Sequence, residues 1–318
     1  MWFAVANSRC RRAGFDGAGP VKWMTTPHPG RSGSQPGRPG PSPFITPDGP
    51  GGYAGSLFVL GVAAFLALPF IPDYFDTTSL GTLGQQRVYL WAVSGLLLTA
   101  TIFLLGMRAR GVWFGALLNR QNRLDLARLQ LAVWTIILLP AIHITLFGNL
   151  LTTGGMTLII STEVWLLLGI EIVTLTSTSI VLGAKRDSPP PTQREAARHG
   201  VLVINDGYGN QKHLMGDGTT EVIGVLVANT EPGDWSWSNL FLGSELGNQR
   251  SVDIGKVQMF FFSAILFTAY STLLVQTFRD TAGPLESLPG FPGSLLTLIA
   301  ISHAGYLTNL AVRHTDTD

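Results

Sequence analysis

Val164-Trp165-Leu166-Leu167-Leu168-Gly169-Ile170-Glu171-Ile172-Val173-Thr174-Leu175-Thr176-Ser177-Thr178-Ser179-Ile180-Val181-Leu182 carries a single charged side chain. A bilayer core asks for about 20 mostly apolar helical residues, and only helices and closed barrels cross it. The run is continuous and not alternating, so it predicts a spanning helix over 157–183. Comparable runs lie outward from it in both directions, at 53–71, 88–107, 129–149 (interrupted by Pro140), 256–277 and 294–312. The expectation is an all-α membrane protein with about six transmembrane helices. Composition agrees: 46% of the 318 residues are hydrophobic, 13% are charged and the mean hydropathy is +0.30. A soluble domain carries about 25% charged residues.

The chain divides accordingly into a basic, Gly/Pro-rich tail over 1–52, expected to be disordered, helices one to four over 53–183, a polar insert over 184–252, and helices five and six with a short tail over 253–318. Met24 is the expected start of translation, since residues 1–23 read as upstream sequence. The net charge of +1 gives no field for nucleic acid, and the lone Cys10 excludes an intrachain disulfide. Lys and Arg concentrate in the tail, in 108–128 and in 184–256, while 72–87, 150–160 and 278–293 hold Arg87 and Arg279 alone. With six spans every basic segment falls on one side, so both termini are expected in the cytoplasm.

Within the insert, Val201-Leu202-Val203-Ile204 and Glu221-Val222-Ile223-Gly224-Val225-Leu226-Val227 read as two strands, and Asn205–Asn210 and Gly216-Asp217-Gly218 as turns. The expectation is a small cytoplasmic α+β or β-hairpin unit that leans on the bundle or on a partner, because two strands alone are marginal in water. Trp235 and Trp237 suit a membrane interface or the packing of this unit.

Residues 113–138 align without a gap on 241–266. Asp125 meets Asp253, Arg128 meets Lys256 and Gln130 meets Gln258. The aspartates are expected to cap helix N-termini. The basic residues can pair with them or meet lipid headgroups, and the glutamines can bond a neighbouring helix. Both copies begin in basic loops, so the repeat is parallel, and a pseudo-twofold along the membrane normal is expected to relate the two helix pairs.

Ser251-Val252-Asp253-Ile254-Gly255-Lys256-Val257-Gln258, preceded by Trp237-Ser238-Asn239-Leu240-Phe241, resembles a group of uncharacterised bacterial multi-pass membrane proteins. Ile301-Ser302-His303-Ala304-Gly305-Tyr306-Leu307 and Arg128-Leu129-Gln130 with Trp134-Thr135 resemble the same group. The resemblance covers most of 110–312 and implies a bacterial inner-membrane location. It implies no activity.

Glu171 is the candidate polar site. A carboxylate near mid-helix costs roughly 2.5–3.5 kcal/mol to insert and should face protein. Thr174 lies on the same helical face, and His143 or the Ser302–His303 pair are the candidate partners. Such a group serves either a proton or ion pathway or a hydrogen bond that fixes helix packing. The insert has neither a P-loop nor a dinucleotide fingerprint, and the histidines are too scattered for a metal site. The expectation is a non-enzymatic scaffold, sensor or accessory subunit, without cofactor or metal, embedded in lipid and contacting a protein partner through 184–252. The alternative is a small transporter or channel using Glu171.

Overall fold

The computed structural model describes residues 50–68, 83–205 and 211–314. Met24 and nearly all of the predicted tail, the greater part of loop 72–87, and the turn at 206–210 lie outside the described residues.

The element order is α1 (Pro50–Ala67), α2 (Leu83–Arg110), α3 (Leu126–Thr153), α4 (Thr162–Arg186), α5 (Gln193–Arg198), strands β1 (Val201–Asn205), β2 (Gln211–Met215), β3 (Thr220–Ile223) and β4 (Leu226–Asn229), then α6 (Ile254–Asp280) and α7 (Gly293–Ala311). Among the described residues five helices, α2, α3, α4, α6 and α7, are long and apolar enough to cross a membrane. In α1 the apolar stretch Tyr53–Ala67 is shorter. At ~1.5 Å per residue it spans roughly 23 Å, against a hydrocarbon core of about 30 Å.

The burial pattern is that of a protein in lipid. Leu96, Leu166, Ile172, Val173, Ile180, Phe261, Ile265 and Ile301 point outward, while Gln86, Ser94, Gln130, Glu171, Thr174 and His303 are buried. Exposed aliphatic side chains around a core that also buries polar ones suit a hydrocarbon solvent. The interior between α3 and α6 is aromatic. Trp134 meets Phe267, Tyr270 and Phe291 with ring centroids 4.8, 5.9 and 5.8 Å away.

Side-chain bonds fix the helix directions. Gln130 near the start of α3 donates to Met259 O (3.2 Å) and Ser263 Oγ (2.6 Å) near the start of α6. Asn149 near the end of α3 donates to Leu285 O (2.8 Å), just beyond α6, and accepts from Leu285 N (3.0 Å). α3 and α6 therefore run in the same direction. Lys185 at the end of α4 reaches Leu310 O at the end of α7, so α4 and α7 run together in the opposite sense. At the start of α2, Arg87 donates to Thr281 O (2.9 Å) and Gly283 O (2.6 Å). The basic residues Arg108, Arg110, Arg120, Arg123, Arg128, Lys185, Arg186 and Lys256 thus gather at the end of the bundle that carries the insert, with Arg87 and Arg279 at the other.

Helix neighbours run in the order α3, α4, α7, α6: α3 packs on α4 and α6, and α7 packs on α4 and α6. A twofold along the membrane normal would set α3 diagonally from α6. Their side-by-side packing excludes that symmetry for these pairs, although both members of each pair point the same way.

The described residues of the insert form four strands where two were expected, in an antiparallel meander ordered β1-β2-β3-β4. The predicted strand over 221–227 is broken by Gly224, whose φ of +61° makes a two-residue hairpin between Ile223 and Leu226. Asp217 closes the turn before β3 by accepting from Thr219 N and Thr220 N (3.0 and 3.1 Å). Thr192 caps α5 in a reciprocal box with Glu195, whose carboxylate these bonds hold below its ordinary pKa.

Candidate functional site

Two constellations bring together residues that the sequence singles out, and a third ties the insert to the bundle. The first lies inside the bundle. Glu171 is fully buried, and its Oε1 accepts from Trp134 Nε1 (3.2 Å) across the α3–α4 contact. One turn on, the Thr174 hydroxyl lies 2.8 Å from Ile170 O and shares a hydrogen bond with His303 Nδ1 at 2.8 Å. His303 Nε2 lies 3.9 Å from Glu171 Oε1. Glu171 Oε2, His303 Nε2 and Ser302 Oγ are buried without hydrogen-bond partners among the described residues. Of the two candidate histidines, His303 is therefore the one beside Glu171. His143 is stacked on Phe65 (centroids 4.5 Å apart) with Phe147 at its edge (5.1 Å), in the packing of α1 on α3. Trp134 was a repeat residue in the sequence, and nothing there marked it as the donor to Glu171.

The second constellation is the pair of helix entrances. Asp125 caps α3, with Oδ1 accepting from Ala127 N (3.0 Å) and Arg128 N (3.4 Å). Asp253 caps α6 by accepting from Lys256 N (3.3 Å) and also receives Asn309 Nδ2 (3.2 Å). Burial raises the pKa of Asp125 above the usual carboxylate value, opposed by Arg128 and the cap bonds. Each entrance has the same construction: a 3-10 turn (Gly115–Leu117 or Trp237–Leu240), a bridge (Leu118 to Leu124 or Leu242 to Val252), then the capping aspartate. Asp125 N donates to Leu117 O and Asp253 N to Phe241 O, which equates Leu117 with Phe241. The gapless alignment, which set Trp113 on Phe241, thus drifts by four residues ahead of the bridge, because the second loop is longer.

The other motif residues part company. Gln130 is buried and bonded to α6, whereas Gln258 is exposed. Arg128 keeps a third of its side chain in solvent, 3.8 Å from Asp125. Lys256 does not reach outward to lipid headgroups. It is buried and donates to Leu242 O (2.6 Å).

The third constellation clamps the insert to the bundle. Lys185 Nζ donates to Glu245 Oε1 (2.5 Å), Leu310 O (2.5 Å) and Val312 O (2.7 Å). It thereby answers the carbonyls that the end of α7 leaves open. Glu245 Oε2 takes His314 N (3.0 Å). Gly224 lies against the end of α4, where a Cβ would collide with Arg186 O and Lys185 O. Beyond this clamp β1 is, among the described residues, an unpaired edge of the sheet, with Leu202, Val203 and Ile204 all exposed. At the other edge, Leu226 of β4 bridges to Glu245 and Val227 N donates to Ser244 O (3.0 Å).

No family model, no curated protein and no solved structure matches this chain. The resemblance carried by the 251–258 and 301–307 motifs therefore rests on those residues alone.

Proposed function

We propose that the protein is a non-enzymatic membrane scaffold or accessory subunit, and that its insert takes a protein partner along β1. One observation supports it above the others. The edge strand is long enough to template a partner strand, its outer side pairs with no strand among the described residues, and three aliphatic side chains stand exposed on it. Natural edges that stay single are covered, bulged or charged, and strand addition is a standard mode of recognition. The clamp at Lys185, Glu245 and Gly224 suits such a role, because it holds the sheet in a fixed position on the helix ends. In this proposal α1 is the sixth span, the insert and both termini face the cytoplasm, and the membrane is a bacterial inner membrane. The two helix entrances are copies of one ancestral unit with different loop lengths.

The transport alternative draws on the approach of Glu171, Thr174 and His303. Their complete burial and the Trp134 bond favour a packing role. The test is in-cell photocrosslinking from Val203. A discrete adduct with another polypeptide is expected, and Leu202→Lys with Ile204→Lys should abolish it without unfolding the bundle. No adduct, or an adduct indifferent to the lysines, would end the proposal. An adduct of twice the chain mass would identify the partner as a second copy.

A further inference from the structure

The insert end of the bundle contains a cleft that no part of the proposed function uses. Arg120, Arg128 and Arg186 line it, with Asn119, Asp125 and Leu182 in its wall. An adjoining cavity shares that wall and adds Arg123, Lys256 and Ser244. Arg120 and Arg186 are exposed, whereas Arg123 is 6% exposed and its Nη1 has no hydrogen-bond partner among the described residues. Burial pulls the Arg123 pKa down to about 10, and among the described residues no carboxylate opposes the shift. A buried, unanswered guanidinium is costly.

The neighbouring groups are already engaged. Arg110 donates to Asn119 O and Asn122 Oδ1 (both 2.9 Å), and Lys256 to Leu242 O. Among the described residues Asp125 is the single carboxylate lining the two cavities, and the cap bonds and Arg128 occupy it. The N–H groups of the first turn of α3 that Asp125 takes are not open to a ligand. What remains is an excess of arginine, whose planar fork suits oxygen anions.

We propose that this cleft and the cavity adjoining it bind a phosphate-type oxyanion, held by Arg120, Arg128 and Arg186 on the cleft side and by Arg123 on the cavity side. The phosphate belongs either to an acidic lipid headgroup, since the cleft lies where α3 begins and α4 ends, or to a soluble phosphate compound.

The experiment is thermal unfolding of the full chain in neutral detergent. One arm adds inorganic phosphate against chloride at matched ionic strength. The second adds short-chain phosphatidic acid against phosphatidylcholine. A rise in the unfolding midpoint with phosphate assigns a soluble ligand, and a rise confined to phosphatidic acid assigns a headgroup. In either case Arg120→Gln with Arg186→Gln, both at exposed positions, should weaken the response about tenfold, the scale of one lost charge-assisted bond, while Arg194→Gln should leave it intact. Arg123→Gln should lose the response and yet be at least as stable as wild type without ligand, which a purely structural arginine would not be. No midpoint shift in either arm, or a shift that survives the double substitution, overturns the site.

Discussion

Replacing Lys185 by methionine should be among the most damaging single changes at the insert end of the bundle. The side chain donates to one carboxylate and two carbonyls within 2.5–2.7 Å, and Glu245 is 2% exposed. After the change, Glu245 keeps His314 N and the Asn248 contact made by its own backbone, but its charge is buried and unmatched. Removing one member of a buried ion pair costs about 3–5 kcal/mol. Each carbonyl stripped of its donor adds up to about 1–3 kcal/mol. Neighbouring losses do not sum, so about 4 kcal/mol is the expected total. Replacing both partners, as Lys185→Met with Glu245→Leu, should recover much of this, because apolar residues of similar volume often match a buried pair. The assay is equilibrium unfolding in detergent, read together with protease cleavage of the insert. Wild-type stability in Lys185→Met, or a double variant no better than the single, would refute the clamp.

Gly224→Ala should cost about 1–2 kcal/mol for the left-handed backbone alone, plus the collision with the end of α4, and protease sensitivity of 220–229 would register it. Glu171→Gln, which keeps an acceptor for Trp134, should stay within about 1 kcal/mol of wild type, whereas Glu171→Leu should lose about 1–3 kcal/mol; equal unfolding midpoints for the two would remove the packing role. Asp125→Asn retains the cap and removes a buried charge, while Asp125→Ala should cost about 1 kcal/mol. Because the folded pKa of Asp125 is raised, the folded state holds the proton more tightly there. Wild-type stability relative to Asp125→Asn should therefore fall as pH rises from the unfolded value through the folded one, and a rise in unfolding experiments across that window would contradict the burial.

Helix existence was legible because length and hydropathy are properties of the chain itself. The polar insert and the basic end were legible for the same reason. The strand count was not, since Glu221–Val227 reads as one apolar run until Gly224 takes a positive φ. β2, Gln211–Met215, has no apolar alternation and is held by pairing on both sides. Capping by Asp125 and Asp253 followed from local chemistry and appears as expected. The unlike fates of Gln130 and Gln258 did not, because burial depends on which neighbour stands opposite. For Glu171 the sequence pointed inward correctly, but Trp134 as its donor is a tertiary fact. Asn149, which ties α3 to the loop before α7, has no local signature at all.

Hydrogen exchange of the β1 amides, Val201 to Asn205, in native membranes and in the purified protein bears most directly on the proposed docking edge. If a partner strand occupies that edge, the outward amides are protected in the membrane and exchange freely after purification. Equal, rapid exchange in both preparations would contradict it.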